Sequence, residues 1–185
     1  MADGGETVLE TTRLRLRRLN DDHFARMHEF YQDPEVVRFI AAYPPPPLDE
    51  FVATQRQRWD DHYREHGWGQ WAVVRKDDGA FVGRCGLIMQ HIDGVDEVEV
   101  GYALGGEFWG RGYAAEAAVG CRDWAFRNLA VPHVISLIHP DNHRSIAVAR
   151  RNGMTLWKTT MFKEMPGIGV WRITREEWAR AQRPD

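Results

Sequence analysis

The chain has 185 residues, of which 43% are apolar, and its formal net charge at pH 7 is −3. This length predicts a single domain over residues 1–185, and the apolar fraction is ample for a packed core. The slightly acidic balance argues against a nucleic-acid partner, because proteins that bind phosphate backbones are usually basic.

Two missing signals bear on where the protein resides. No apolar run is long enough to span a membrane, and the acidic opening MADGGE lacks the apolar core of a secretory signal. We therefore expect a cytoplasmic protein without a membrane partner, and a flexible N-terminus over residues 1–11.

The first half of the chain predicts a strand, three helices and then antiparallel strands. Arginines alternate with leucines over residues 12–19, which is the period of a strand with one solvated face. Asp78-Gly79 indicates a hairpin turn. The other elements of this half, in chain order, are a helix over residues 21–31 capped by Asp21 or Asp22, a short helix opened by Asp33-Pro34, a helix over residues 49–66, and strands over residues 70–75, 80–89 and 95–104.

The second half alternates helices with strands. Thr174 and Glu177 have the spacing of a capping box, which predicts a short C-terminal helix. The elements before it, in chain order, are a helix over residues 112–128, a strand over 133–139, a helix over 142–152 that stops at Gly153, and strands over 155–165 and 169–173. This order predicts an α+β (mixed α/β) fold with helices packed on one twisted sheet.

A glycine-rich junction is the strongest local motif. Gly110, Gly112 and Ala115 have the spacing G-x-G-x-x-A between a predicted strand and a predicted helix. The first N–H groups of a helix lack internal partners and lie at the positive end of its dipole, so they favour a phosphate. A turn that binds nothing explains the motif equally well, because the spacing alone is weakly specific.

A dinucleotide site of the Rossmann type fits this junction poorly. The motif comes past residue 105, it follows a series of antiparallel strands, and residues 130–139 contain no acidic side chain for a ribose. No Gly-Lys-Ser/Thr follows, so the loop is not a Walker A motif either.

Cysteine and histidine spacing predicts no metal site. Cys85 and Cys121 do not form a C-x-x-C pair, and their apolar surroundings predict buried, reduced thiols. His62 and His66 share a predicted helix face but have no evident third ligand.

Several motifs in the same order resemble the GCN5-related N-acetyltransferase (GNAT) superfamily, in particular its RimJ/RimL-type branch. Trp109 departs from the Gln/Arg position of the superfamily's acetyl-CoA signature, although an aromatic residue is common there in this branch. The stretches that carry the resemblance are TRLRLR (12–17), FVGRCGL (81–87), VEVGYAL (98–104), WGRGYA (109–114), NHRS (142–145) and RNGM (151–154).

The resemblance implies a central, mostly antiparallel sheet with splayed middle strands and flanking helices. It also implies direct transfer of acetyl from acetyl-CoA to a primary amine, on a protein N-terminus or a small molecule. A non-catalytic acyl-CoA-binding or sensing domain on the same fold is the alternative, and a nucleotide-binding oxidoreductase is a third hypothesis. A homodimer is compatible with the branch, but no feature of the sequence indicates one.

The resemblance assigns roles to individual residues. Glu99 is the first candidate for the base that deprotonates the amine, with Glu97 or a chain of water molecules as alternatives, and Ser145 is the candidate acid for the departing thiolate. The acceptor site is expected near the loop after Tyr43, the helix over residues 49–66 and residues 161–168. The residues expected to bind acetyl-CoA are Tyr102, Ala103, Leu104, Trp109, Gly110, Arg111, Gly112, Tyr113, Ala114, Ala115 and Asn142.

Overall fold

A computed structural model describes residues 6–182, which form one eight-stranded sheet flanked by helices. The strands are β1 (Thr7–Glu10), β2 (Leu14–Arg18), β3 (Gln70–Arg75), β4 (Phe81–Ile92), β5 (Val95–Leu104), β6 (His133–Ile138), β7 (Thr155–Phe162) and β8 (Met165–Thr174). The helices are α1 (Asp21–Phe30), α2 (Pro34–Val37), α3 (Leu48–His66), α4 (Tyr113–Asn128), α5 (His143–Arg151) and α6 (Arg175–Ala181), and one 3₁₀ turn covers Gly106–Phe108.

The strands lie in the order β1-β2-β3-β4-β5-β6-β8-β7. Every neighbouring pair is antiparallel except β5 and β6, which are parallel and pair only at Glu99 and Ile135. Beyond this point β5 and β6 no longer form a ladder, so the sheet is split between its middle strands. The predicted mixed fold, with a mostly antiparallel sheet and flanking helices, is confirmed.

The two faces of the sheet differ in chemistry because side chains alternate along each strand. On one face, here called the α4 face, Trp71 of β3 packs edge-on against Trp124 of α4, with ring centroids 5.1 Å apart. Cys85 and Cys121 are buried and free on this face, with their sulfurs 3.5 Å apart, as the apolar flanks predict.

The opposite face, here called the α3 face, is covered in part by α3. The Tyr63 hydroxyl donates a hydrogen bond to the carbonyl of Gln70, and the Met89 amide donates to Nε2 of His62 at 3.0 Å. Gly86 of β4 lies opposite both Gln70 of β3 and Gly101 of β5, so these three positions share the α3 face.

Helix starts follow local capping chemistry. Asn20, rather than Asp21 or Asp22, caps α1: its side chain accepts a hydrogen bond from the amide of His23, and the two aspartates occupy the first turn, where the helix dipole favours them. The predicted capping box of Thr174 and Glu177 at α6 is confirmed.

Within the segment over residues 1–11 that was expected to be flexible, Thr7–Glu10 form β1, and residues 1–5 lie outside the described residues. Leu9 pairs with Leu16 of β2 and packs against the core. Just after β1, the Thr11 hydroxyl donates to the Glu116 carboxylate at 2.6 Å. Strand pairing and this link to α4 order the segment despite its short apolar run.

Two hairpins have turns at positions other than those predicted. β4 continues to Ile92 because the turn to β5 is made by Asp93 and Gly94, both with positive φ. β7 and β8 are joined by Lys163 and Glu164, with φ of 47° and 64°, which is the backbone of a tight two-residue turn. Neither side chain is typical of that turn, so the predicted strand ran on to residue 165.

We expect Gly86→Ala to destabilise the sheet. A Cβ at this position would lie 2.3 Å from the carbonyl oxygen of Gly69, which is backbone and has no rotamer to relieve the overlap. The loss should be about 1–3 kcal/mol in the free energy of unfolding, measured by urea titration. Gly106→Ala is the matched control, since its Cβ would meet no atom closer than 3.4 Å. Equal unfolding midpoints for the two variants would contradict this account of the contact.

Candidate functional site

A cavity of about 530 Å³ lies where the sheet splits, between β5, the glycine loop, α4 and α5. It brings together every residue predicted to bind acetyl-CoA except Arg111, and also Ser145. Its remaining walls come from residues that were not predicted to bind acetyl-CoA: Val36, Arg38, Phe39, Ile40, Phe108, Asp141, His143, Arg144, Ala147, Val148 and Arg151.

The glycine loop forms one wall of this cavity. Gly110 and Gly112 have φ of 74° and 81°, a left-handed conformation that costs glycine little. Gly112 is the N-cap of α4 and, among the described residues, no side chain caps this helix. The first N–H groups of α4 are therefore available to an anion, as a phosphate site requires.

Arg111, unlike its neighbours Gly110 and Gly112, does not line the cavity. Its carbonyl accepts a hydrogen bond from Nη1 of Arg13 at 3.0 Å. The same arginine donates from Nε to Oε2 of Glu116 at 2.6 Å, which ties the loop to the first turn of α4. The side chain of Arg13 thus holds the glycine loop in place from outside the cavity.

The facing wall is built by the start of α5. Asn142 caps this helix, with Oδ1 accepting from the amide of Ser145 at 3.1 Å. The Tyr102 hydroxyl donates to the carbonyl of Ser145 at 3.1 Å and so connects β5 to α5 across the split. Burial raises the pKa of Tyr102 well above its ordinary value, which keeps this phenol protonated.

Positive charge collects at the cavity. The guanidinium of Arg144 lies 4.3 Å from the ring centre of Trp109, and Arg38 and Arg151 also line the walls. Arg150, which precedes Arg151 in α5, instead contacts Trp171. The stretch NHRS contains Arg144, so a sequence signal was present, whereas the short helix α2 carries no pattern that points to a site.

Glu99 lies on the α3 face at the point where the sheet divides. Its side chain accepts hydrogen bonds from Nε2 of Gln90 at 2.6 Å and from the amide of Leu137 at 3.3 Å. That amide belongs to β6 beyond its last pairing with β5. Burial raises the pKa of Glu99, and the two hydrogen bonds offset only part of this effect.

Glu97 occupies the same face but is differently engaged. Its Oε2 lies 2.7 Å from Nε2 of His133, near the start of β6 and away from the split. Both glutamates are buried. The two candidates thus have different partners: Glu97 is in contact with a histidine, and Glu99, the first candidate, is held by neutral donors at the split.

Further polar groups missed by the sequence lie on the α3 face. Arg84 of β4 donates from Nη1 to Oε1 of Gln70 at 2.7 Å, and its Nε and Nη2 lie 3.4 Å from the Tyr31 hydroxyl. Gln70 is fully buried and donates to the carbonyl of Gly101 at 3.0 Å. A glutamine at the start of an otherwise apolar strand was the only signal for this cluster.

Within residues 6–182, no group of three or more His, Cys, Asp or Glu side chains is arranged to hold a metal ion. His62 and His66 contact each other and Trp68. No helix in the same range is both long and apolar enough to cross a membrane.

Comparisons with known proteins agree with this architecture. A family model described as an acetyltransferase (GNAT) domain matches residues 13–155. An uncharacterized protein of Bacillus subtilis strain 168, YkkB, is 33% identical over 157 residues, which are 83% of this chain and 88% of that protein. The FsC-acetyl coenzyme A-N(2)-transacetylase of Aspergillus fumigatus is 31% identical over 192 residues, covering 97% of this chain and 81% of that enzyme.

The same likeness holds in three dimensions. The crystal structure of an acetyltransferase from Agrobacterium tumefaciens str. C58 superposes with a TM-score of 0.75 at 30% identity, covering 94% of this chain and 96% of that one. Since the family model matches well over half of the chain and is supported by relatives above 30% identity, this protein belongs to the GNAT acetyltransferase family.

Proposed function

We propose that this protein transfers the acetyl group of acetyl-CoA to a primary amine. The observation that carries the proposal is the cavity at the split between β5 and β6, with the uncapped start of α4 in its wall and Glu99 at the last pairing of the two strands. The Aspergillus relative is named as an acetyl coenzyme A-N(2)-transacetylase, which supports the same donor and a nitrogen acceptor.

The cavity walls suit a phosphate-bearing cosubstrate. Amides from Gly112 to Ala115 would bind the pyrophosphate, and the guanidinium groups of Arg144 and Arg151 add positive charge nearby. Beyond Glu99, β5 has no ladder with β6, so its backbone near Tyr102–Leu104 is available to an extended pantetheine arm. Acetyl-CoA supplies an activated acetyl group as a thioester.

Glu99 is assigned as the base. A primary amine is mostly protonated at neutral pH, since an α-amine has a pKa of about 8 and a lysine amine about 10. The ammonium first gives a proton to the Glu99 carboxylate, which passes it to solvent. The neutral nitrogen then attacks the thioester carbonyl, a C–N bond forms and the C–S bond breaks. The second proton leaves the nitrogen for Glu99 and is again released to solvent. The raised pKa of Glu99 makes it a better proton acceptor than an ordinary carboxylate.

Ser145 is assigned as the acid that protonates the departing thiolate, and solvent then restores its proton. Its side chain lines the cavity, while its backbone is fixed by Asn142 and Tyr102. The RimJ/RimL-type branch is part of this proposal and is supported by the stretches VEVGYAL and NHRS. The single-domain organisation, the cytoplasmic location and a homodimer remain predictions from the sequence.

We expect Gly112→Ala to weaken acetyl-CoA binding roughly tenfold, because alanine at φ 81° is strained and its methyl group would lie 3.4 Å from Nη2 of Arg13, the side chain that holds the loop. Isothermal titration calorimetry with acetyl-CoA measures the effect. Gly79→Ala controls for backbone strain alone, since it has φ 73° in a distant hairpin turn with no atom within 4 Å. NAD should give no heat of binding. Unchanged acetyl-CoA affinity in a folded Gly112→Ala variant would refute the assigned loop.

Thiol release from acetyl-CoA, tested against a panel of primary amines, divides an enzyme from a binding domain. Glu99→Gln should lower kcat/KM by about 10²–10⁴. In the native protein, activity should fall as the pH drops through the raised pKa of Glu99, because the base becomes protonated. That acidic limb should be absent from the residual activity of the variant.

The controls for this experiment are the neighbouring glutamate and the proposed acid. Glu97→Gln should retain most of the turnover, and Ser145→Ala should lower kcat with little change in KM for the amine. Binding of acetyl-CoA without thiol release from any amine would favour the sensing domain instead. Unchanged turnover in Ser145→Ala would remove Ser145 from the mechanism.

A further inference from the structure

Two arginines on the α3 face share one aromatic ring. The guanidinium carbon of Arg84 lies 5.9 Å from the ring centre of Trp59, and that of Arg58 lies 4.9 Å from it. Trp59 is almost completely buried, so the ring is a fixed platform. The two guanidinium groups are also near enough for the charge of Arg84 to lower the pKa of Arg58.

Neither guanidinium is paired with an acid. Within residues 6–182, no carboxylate oxygen lies within 4.0 Å of Arg58 or Arg84. The hydrogen-bond partners of Arg84 are neutral: the side chain of Gln70 and the hydroxyl of Tyr31. Because Gln70 is fully buried and bonded in turn to Gly101, it fixes Arg84 without neutralising its charge.

The charge of Arg84 also acts on Arg58. Packing against its surroundings and the nearby charge of Arg84 lower the pKa of Arg58, and attraction to Tyr31 and Glu99 offsets only part of this. A guanidinium has five N–H donors in a planar fork that matches a carboxylate. An anionic group placed between the two arginines would therefore relieve their repulsion and use their free donors.

The row of the sheet between Arg84 and Glu99 consists of glycines, with the Ile88 side chain packed over Gly101 and the Gly69 backbone close to Gly86. On the α3 face, Arg84 lies opposite Ala103, Glu99 lies opposite Ile88, and the row between them is Gly86 and Gly101. Arg84 and Ile88, the partner of Glu99, are four residues apart on β4, which is about 13 Å between their Cα atoms. Arg84 is nevertheless close enough to Glu99 to lower the pKa of that carboxyl, so a small molecule with both an ammonium and a carboxylate would find a partner for each charge on this face.

We infer that the acceptor is an amine that also bears a carboxylate, with the carboxylate bound by Arg84 and Arg58 and the amine placed at Glu99. The inference rests on the acetyl transfer proposed above and adds the class of acceptor. Arg84 and Arg58 act in acceptor binding, and the bonds formed and broken are those already described. A polyamine is disfavoured, because a second ammonium group would face the two guanidinium groups.

The test compares thiol release for amines that differ only in the anionic group. The matched pairs are glycine with glycinamide and 4-aminobutyrate with 4-aminobutanamide, and spermidine serves as the cationic acceptor. In at least one pair the carboxylate should have the higher kcat/KM, by about tenfold or more. The pair with the larger ratio indicates the distance between the bound amine and carboxylate.

Variants connect this preference to the two arginines. Arg84→Met and Arg58→Met should each raise KM for the preferred carboxylate at least about tenfold, with little change in kcat or in KM for its amide. Arg84→Lys should restore part of the affinity. Arg64→Met is the matched control, since Arg64 is exposed on the same helix and pairs with Asp61. Because Arg58 is exposed, the Arg58→Met variant still tests the inference if substitution of Arg84 impairs folding.

Two outcomes would overturn the inference while leaving acetyl transfer intact: higher kcat/KM for the amides or for spermidine, or an equal loss with carboxylate and amide in both arginine variants. No acetyl-CoA binding, or no thiol release with any amine, would overturn the proposed function and this inference together.

Discussion

The break in pairing between β5 and β6 is the constraint on which the site depends. These strands are parallel and meet only at Glu99 and Ile135, so the following backbone groups must find other partners. Two side chains supply some of them. The Ser136 hydroxyl donates to the carbonyl of Val100 at 2.7 Å, and the Leu137 amide donates to Glu99. The split is thus stabilised at its base and leaves room for a cavity above.

Each face of the sheet contributes a different part of the site. The α4 face presents the helix terminus, the glycine loop and the cavity walls from α5, all of which favour an anionic cosubstrate. The α3 face presents Glu99, Gln70 and Arg84 around a row of glycines. Glu99 lies on this face at the last pairing of β5 with β6, and Tyr102–Leu104 of the same strand line the cavity.

The sequence predicted the elements correctly where their structure depends on residues close in the chain. The strands Gln70–Arg75 and Val95–Leu104 have their predicted bounds, and the capping box of Thr174 and Glu177 is present. Other features could not be predicted because their pairing partners are distant in the chain. β1 is ordered by β2 and by Glu116, and the turn at Lys163 and Glu164 is imposed by the pairing of β7 with β8.

The sequence by itself determined the mixed fold, the family resemblance and the position of the glycine loop, because periodicity and short motifs depend on residues close in the chain. Only the tertiary structure showed that Glu99 and Glu97 have different hydrogen-bond partners, since those partners come from β4 and β6. It alone brought Arg84 and Arg58 to one tryptophan, from a strand and a helix more than twenty residues apart. Charge balance on a surface depends on which side chains meet in space, and the order of residues does not specify it.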